Sequence, residues 1–463
     1  MVDFVNNIKQ HSYYNTVSAI KSNVQQNGAA PSPERNNQFS TIPFCAGNTV
    51  INKRTELSSS AEKKKYAEIL KFSSDKNVKK QLNTLLKSGI LLNSNSNDNS
   101  TVLDNLHKIM TTPRAEGLDA KTIFKDTINI LYSPFNVTQH IGDIPREYRS
   151  RALAANAATK SNLVDSYQAA NEIDVEHSGT CVAASIEFNL AESMPAEFAR
   201  FAEGLSSTKM SVDKEIKLSN LADNTLDAVW LLNAFEIPFE ANDFHKAKLT
   251  FAPDKNAILR AQIQTTHKDP LERSPLDVLM QSTFMQVGSQ QTYNSITDKR
   301  EGKFNQNPKG LIEFEKTFTE SVVADKNILS VTYQTVDENA RLVGYETDQE
   351  TLKRHLLTAL DMGENVILGY TYVDKNNIVV GGHEITLVDY KKDSNGKLIF
   401  VCNDTDDDNV KPIEYTEDYL LPKIHHAALP QKVVESDMTV TPNWVEGLNI
   451  YKDMKKRLAW YIR

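Results

Sequence analysis

The sequence predicts an α+β protein in which helices come first and an antiparallel sheet follows. Up to about residue 322, apolar residues recur mainly at helical spacing. From about residue 366 onward, short β-branched and aromatic runs alternate with turn sequences such as Asp374-Lys375-Asn376-Asn377, which is typical of strands joined by hairpins. Helices followed by strands, without regular alternation, is the order expected of an α+β domain.

The length and composition are those of a globular chain. A length of 463 residues predicts two or three domains, and 40% hydrophobic with 24% charged residues excludes collagen-like, coiled-coil and wholly disordered proteins. Because no run of 18 apolar residues occurs, we expect no membrane span. The first eight residues lack the apolar segment of a secretory signal, so we expect a cytoplasmic location.

The charge is divided unevenly along the chain. Residues 1–160 carry a net charge of +8, and residues 161–463 carry −16. This division predicts two parts that attract one another, although each part could equally be charged only because it is solvated. The lysine clusters at 63–65 and 79–80 lack interleaved aromatic residues, so no nucleic-acid partner is expected.

The basic part is predicted to be a small helical region. Residues 1–60 are rich in Asn, Ser and Gln and are predicted to be disordered. Residues 61–160 form the helical region, and the Asn- and Ser-rich segment 93–100 is predicted to be a flexible linker within it. Helices are predicted within 60–89, at 101–111 and 119–132, and from Arg149 to about Ala170.

The acidic part is predicted to be the main domain, at 161–440, followed by a tail at 441–463. Helices are predicted at 181–192, 196–203, 221–234, 274–287, 309–322 and 351–362, the last ending at Gly363. Strands are predicted at 328–333, 366–373, 378–380, 384–390 and 397–403.

Cys181 is the strongest candidate for a nucleophile. The other cysteines are Cys45 and Cys402, and three cysteines without close spacing form neither a disulfide framework nor a metal site. Cys181 opens a predicted helix, where unpaired N–H groups and the helix dipole stabilise a thiolate and can hold an oxyanion. The alternative is a buried structural cysteine.

His383 and Asn403 complete a possible catalytic set. His383 begins a strand behind two glycines, and Asn403 ends the adjoining strand. Each alone could be structural, but together with Cys181 they form a nucleophile, a base and an orienting group. For His383 and Asn403 to share a face of the sheet, the hairpin needs a five-residue loop at 391–395 or a β-bulge.

Three short blocks resemble the papain-like cysteine peptidases. Residues 179–185 (GTCVAAS) resemble the nucleophile motif G-S-C-W-A-F-S, residues 382–390 resemble G-H-A-V-x-x-V-G-Y, and residues 401–404 resemble K-N-S-W. The resemblance spans roughly 165–430, with an insertion at about 236–345. It implies a peptidase acting on peptide or protein substrates through an acyl-enzyme, with Cys181 as nucleophile, His383 as base and acid, and Asn403 as orienter.

The resemblance also implies a helical subdomain bearing the cysteine and an antiparallel sheet subdomain bearing the histidine and the asparagine. Residues 61–160 would then be an extra helical region that covers the cleft as a propeptide does, giving intramolecular inhibition. No cofactor and no metal are expected, since the acidic run 404–408 lacks the downstream spacing of a calcium loop.

Departures from the family pattern leave two alternatives open. Val175 stands where the family has the glutamine of the oxyanion hole, Val182 stands where it has a tryptophan, and the tryptophan that shields the asparagine is absent. The chain could therefore be a catalytically impaired papain-fold binding or scaffold protein. It could also be another thiol acyltransferase or amidase that uses the same triad.

Overall fold

The computed structural model describes residues 54–140, 144, 146–159, 178–241, 243–266, 272–304, 310–337, 339–406 and 410–435. The described chain is a mixture of helix and antiparallel sheet, which confirms the predicted α+β class. The predicted disorder at 1–60 falls almost wholly outside the described residues, and the predicted tail at 441–463 lies entirely outside them. Within the described residues, no helix is both long enough and apolar enough to cross a membrane.

The N-terminal part is helical, as predicted. Its helices are α1 (Ser60–Phe72), α2 (Lys76–Lys87), α3 (Val102–Thr111), α4 (Ala120–Tyr132) and α5 (Arg146–Thr159). Two of them begin with a capping box, in which Ser59 pairs with Glu62 and Thr101 pairs with Asp104. These reciprocal bonds satisfy backbone N–H groups that the first helical turn leaves without partners.

The segment 93–100 is held in place by hydrogen bonds to Glu197 and Glu215, so its prediction as a flexible linker is wrong. The backbone N–H of Asn97 donates to Glu197 Oε2 at 2.9 Å. Its side-chain amide donates to the Glu215 carbonyl at 2.8 Å and accepts from the Glu215 N–H at 2.9 Å. The polar composition that suggested a linker supplies the groups that make these bonds.

The middle of the chain forms a layer of helices with a small sheet. The helices are α6 (Cys181–Ser193), α7 (Pro195–Ser206), α8 (Thr225–Ala234), α9 (Ala257–Thr266), α10 (Pro275–Gly288) and α11 (Glu313–Ala324). The sheet contains β1 (Val212–Lys217), β2 (Phe239–Ala241) and β3 (Lys246–Phe251), in the antiparallel order β1-β3-β2. Helix α6 is buried on nearly every side, as expected of a central helix whose residues are apolar all round.

The C-terminal part is built on a six-stranded antiparallel sheet. Its strands are β4 (Ile328–Thr332), β7 (Val366–Val373), β8 (Val379–Lys392), β9 (Leu398–Asn403), β10 (Ile413–Thr416) and β11 (Ile424–Pro430), in the order β10-β9-β8-β7-β11-β4. Strands β5 (Gln334–Val336) and β6 (Leu342–Tyr345) form a separate pair. The helices are α12 (Gln349–Asp361), α13 (Glu417–Leu420) and α14 (Gln431–Glu435). Gly363 follows α12 with a φ of 77°, the left-handed conformation expected after a helix end.

Strand β8 joins the two strands that were predicted at 378–380 and 384–390. Gly381 and Gly382 were expected to interrupt it, but they stay in the ladder opposite Tyr372 and Thr371 of β7. Because the pairing continues through both glycines, His383 lies inside a long strand and not at its start.

The hydrophobic core does not divide at residue 160. Helices α1–α4 bury Leu82, Leu106 and Phe124 in the same cluster as Phe188 of α6 and Phe284 of α10. The sheet and α12 form a second cluster. The charge division therefore does not coincide with a boundary in the core.

The predicted insertion at about 236–345 is part of the main body. It contains α10, whose fourteen residues are all buried, and α11, which contacts strands β4 and β11 of the sheet. Because the segment 236–345 supplies a central helix and a helix that packs between the other helices and the sheet, it is an integral part of the fold.

Candidate active site

Cys181 is the first residue of α6 and lies beside the large sheet, because α6 packs against β7 and β8. The residues leading to it are held from two sides. Ser178 Oγ donates to the Gln139 carbonyl at 2.7 Å, and Thr180 Oγ1 donates to Gln281 Oε1 at 2.8 Å. Thr180 occupies the N-cap position, but its side chain makes no capping bond to α6. The first N–H groups of the helix are therefore not satisfied by their N-cap residue.

His383 lies in β8 opposite Tyr370 of β7. The Tyr370 ring packs edge-on against the imidazole, with centroids 5.8 Å apart and an interplanar angle of 76°. Cys181 and His383 line the same cleft, and an interaction with the Cys181 side chain contributes to the raised pKa of His383. The sequence predicted that Cys181 and His383 belong to one site. The fold brings these two residues together although they are 202 positions apart in the chain.

The residue that orients His383 is Asp404 and not Asn403. His383 Nε2 and Asp404 Oδ1 are 2.6 Å apart, and the same oxygen accepts the Asp406 N–H at 3.0 Å. Asn403 lies in β9 opposite Thr386, and its Nδ2 is buried with no hydrogen-bond partner among the residues described. Because Nε2 is engaged by Asp404, Nδ1 is the ring nitrogen that can serve the thiol.

A β-bulge explains this exchange of neighbours. Near the turn, Lys392 pairs with Leu398 and leaves the five-residue loop 393–397. Continued without interruption, this register would place Asn403 opposite Leu387, on the face that carries His383. The register instead shifts by one residue between Leu387 and Asp389. Asn403 then turns to the other face, and the next residue takes the side of His383.

The predicted bulge is therefore present, but its effect on the triad is the reverse of the expected one. Two signals in the sequence bear on Asp404: it directly follows the predicted orienter, and it is acidic. The alternation of side chains along a strand could not show whether residue 403 or residue 404 lies on the face of His383, because a single bulge reverses that alternation.

The surroundings of His383 and Asp404 shift the pKa values of both side chains. Burial by itself lowers the pKa of His383, but the charge and hydrogen bond of Asp404 outweigh burial and raise it well above the ordinary histidine value. Burial by itself raises the pKa of Asp404, and attraction to His383 outweighs it, so the net pKa is lowered. Both shifts favour a protonated imidazole paired with an ionised carboxylate.

Cys402 has the opposite surroundings. It is fully buried in the sheet core, and burial together with the charge of Asp404 raises the pKa of its thiol well above the ordinary value. Cys402 is therefore a structural cysteine, whereas Cys181 is only partly buried.

Cys181 and His383 open onto a shared cleft of about 480 Å³, solvent-open space included. Its other lining residues come from α11, the segment before it and three strands of the large sheet: Leu311, Ile312, Glu313, Gly369, Tyr370, Gly382, Glu384 and His426. Within the described chain, these lining residues all come from the acidic part, 161–463, and none from residues 61–160. The function of 61–160 as a cover stays a prediction.

The cleft wall contains a polar cluster that the sequence analysis did not single out. Glu313 at the start of α11 contacts His425 and His426 of β11, and Glu384 of β8 contacts His426 and Lys316. Two adjacent histidines in an otherwise apolar segment were the available signal in the sequence.

Comparison of the chain with protein-family models, with curated proteins and with solved structures finds no match in any of the three. The chemistry of the site therefore has to be argued from its own residues. Val175, at the family position of the oxyanion glutamine, lies outside the described residues. The described residues supply a thiol at a helix start, an imidazole on the same cleft and a carboxylate that is hydrogen-bonded to the imidazole. Nucleophilic acyl transfer uses this combination of groups.

Proposed function

We propose that this protein is a papain-like thiol hydrolase that cleaves peptide bonds through an acyl-enzyme. The observation that carries the proposal is that Cys181 and His383 line one cleft, while His383 Nε2 makes a 2.6 Å hydrogen bond with Asp404 Oδ1. The proposed papain-like fold is supported by the order of the parts, with a cysteine-bearing central helix followed by a sheet that bears the histidine.

The proposed reaction begins with the Cys181 thiolate and a protonated His383. The sulfur attacks the scissile carbonyl carbon, and the carbonyl oxygen becomes an oxyanion near the first N–H groups of α6. His383 then gives its proton to the leaving amine, and the C–N bond breaks to leave a thioester on Cys181. Water, deprotonated by His383, attacks the thioester carbon. The C–S bond breaks, the acid is released, and the Cys181 thiolate and the protonated His383 are restored.

Asp404 has two functions in this scheme. Its carboxylate fixes the ring so that the opposite nitrogen faces the sulfur, and its charge stabilises the imidazolium throughout the first step. The edge of Tyr370 covers one side of the ring and limits its motion. The charged carboxylate of Asp404 stabilises a protonated His383 ring more strongly than the neutral amide of an asparagine would.

The cellular location proposed with this chemistry is the cytoplasm. A nucleophilic thiol needs a compartment in which it stays reduced, and the two described cysteines are both free.

The test is turnover of a peptide library by the wild-type protein and by Cys181→Ser, read as newly formed N-termini by mass spectrometry. We expect cleavage by the wild type and its loss in the variant. Cleavage that survives Cys181→Ser would disprove the proposal. Cys402→Ser is the matched control, since that thiol is buried away from the cleft, and it should retain cleavage.

The same experiment separates the alternatives. A scaffold protein would bind peptides without forming new N-termini. A thiol acyltransferase would form the same thioester but would pass the acyl group to an added primary amine, which shifts the mass of the acyl product. Release of a free acid in the presence of the amine supports hydrolysis.

A further inference from the structure

Glu313, His425 and His426 bring three metal-binding atoms together in the cleft wall. His425 Nδ1 lies 2.8 Å from Glu313 Oε1, His426 Nδ1 lies 3.0 Å from the same oxygen, and the two Nδ1 atoms are 3.0 Å apart. All three residues are buried. Each Nδ1 can donate to Glu313 Oε1 when it is protonated, and it can bind an ion through its lone pair when it is not.

A second β-bulge brings two adjacent histidines to the same carboxylate. Neighbouring residues of a regular strand point to opposite faces. In β11, however, Ile424 pairs with Tyr370 of β7 while His426 pairs with Gly369, so His425 is the extra residue. The broken alternation lets both imidazoles reach Glu313, the first residue of α11.

The residues around the cluster form hydrogen bonds with its side chains, as the residues around bound metal ions do. His426 Nε2 lies 2.8 Å from Glu384 Oε1, and Glu384 Oε2 accepts from Lys316 Nζ at 3.1 Å. Thr332 Oγ1 donates to Glu313 Oε2 at 3.1 Å. Metal-binding histidines commonly donate their second N–H to a carboxylate, which fixes the ring and strengthens it as a ligand.

Space for this arrangement depends on a glycine. A Cβ added at Gly369 would come within 2.3 Å of His426 Cε1 and 2.7 Å of Glu384 Oε1. Strand β7 therefore needs a residue without a side chain at the position where the His426 ring and the Glu384 carboxylate meet.

The donor set and the separations suit zinc. Bonds of about 2.0–2.1 Å at tetrahedral angles separate neighbouring ligand atoms by about 3.3 Å, so small movements would admit the ion. With neutral rings, Glu313, Glu384 and Lys316 leave one negative charge, which favours a dication. Two imidazoles and one carboxylate leave a fourth position, and Glu313 and His426 both line the cleft.

We propose that Glu313, His425 and His426 bind a divalent transition-metal ion of the Zn²⁺ class in the wall of the cleft that holds Cys181. The three side chains supply the protein ligands, and the fourth position faces the cleft. The site is independent of thiol chemistry, and it would exist whether or not Cys181 is a nucleophile.

The test is a Co²⁺ titration of the metal-stripped full chain carrying Cys181→Ser, followed by visible d–d absorption and by displacement with Zn²⁺. We expect one equivalent to bind, and at least a tenfold loss of affinity in Glu313→Gln and in His426→Asn. His245→Asn is the matched control, because His245 is exposed and distant in sequence from the cluster, and it should leave binding unchanged. Absence of saturable binding, or equal binding by Glu313→Gln, would overturn the proposal.

A measurement on the unmutated protein covers the case in which a variant does not fold. X-ray absorption of the Zn²⁺-loaded wild-type chain should show imidazole and oxygen neighbours at about 2.0–2.1 Å. A shell dominated by sulfur would assign the ion to the cysteines and would contradict the site.

Discussion

His383 Nε2 and Asp404 Oδ1 are 2.6 Å apart, and they meet because a one-residue bulge in β8 turns Asn403 to the other face of the sheet. The carboxylate that follows strand β9 thereby takes the place beside the imidazole.

Asp404→Ala should lower kcat/KM by roughly 10⁴-fold, the size of loss found when the orienting carboxylate is removed from a catalytic triad. Asn403→Ser should keep activity within a few-fold, since the Asn403 amide has no partner among the described residues. Both are measured by steady-state kinetics on a peptide identified from the library. A larger loss in Asn403→Ser than in Asp404→Ala would restore Asn403 as the orienter.

The His383–Asp404 pair should stabilise the fold most between about pH 4 and pH 6.5. The lowered pKa of Asp404 means that its contribution is full above the unfolded value and is lost as the pH falls through the folded value. The raised pKa of His383 means that its contribution is full below the unfolded value and is lost as the pH rises through the folded value.

This window is checked by urea unfolding of the wild type and of Asp404→Asn across the pH range. The difference in the free energy of unfolding should reach about 3 kcal/mol within the window, as for removal of one partner from a buried pair. It should shrink toward both acid and alkaline pH. A difference that does not change with pH would contradict the assignment of charges to this pair.

Cys181 should react with iodoacetamide before Cys402 in mildly acidic buffer. Cys181 is only partly buried and shares the cleft with His383, whereas burial raises the pKa of the Cys402 thiol and shields its sulfur. We expect the two alkylation rates to differ by more than about tenfold, as peptide mapping by mass spectrometry can measure. His383→Ala should slow the alkylation of Cys181 without changing that of Cys402, and equal slow labelling of both cysteines in the wild type would favour the scaffold alternative.

Gly369→Ala should destabilise the protein by about 1–3 kcal/mol, the usual cost of forcing an added methyl group into a packed interior. The new Cβ would overlap the His426 ring. Gly344→Ala is the matched control, because a Cβ there meets nothing within 4 Å, and its effect should stay within about 0.5 kcal/mol. Thermal or urea unfolding measures both, and equal effects would show that His426 is not held against β7.

A truncated chain that starts at residue 161 should lose cooperative unfolding instead of gaining activity. Leu106 and Phe124, which it lacks, are buried in the same core as Phe188 of the cysteine helix. A chain that starts at residue 54 is the control and should unfold as the full chain does. If the shorter chain folds and its peptidase activity rises, residues 61–160 act as an inhibitory cover.

The local elements could be predicted because their signals are local. The helices predicted from residue 60 and at 101–111, the helix start at Cys181 and the glycine after α12 agree with the structure within a few residues. The linker at 93–100 was predicted wrongly, since composition does not show that Asn97 has partners on α7 and β1.

Periodicity and turn chemistry act over a few residues, so the α+β class, the helix that begins at Cys181 and the strand that carries His383 could be predicted from the sequence. The identity of the residue that faces the imidazole depends on strand register, since one bulge reverses the parity of a strand. The contact of Glu313 with two histidines 112 and 113 residues later in the chain likewise depends on strand pairing and helix packing, and not on sequence spacing.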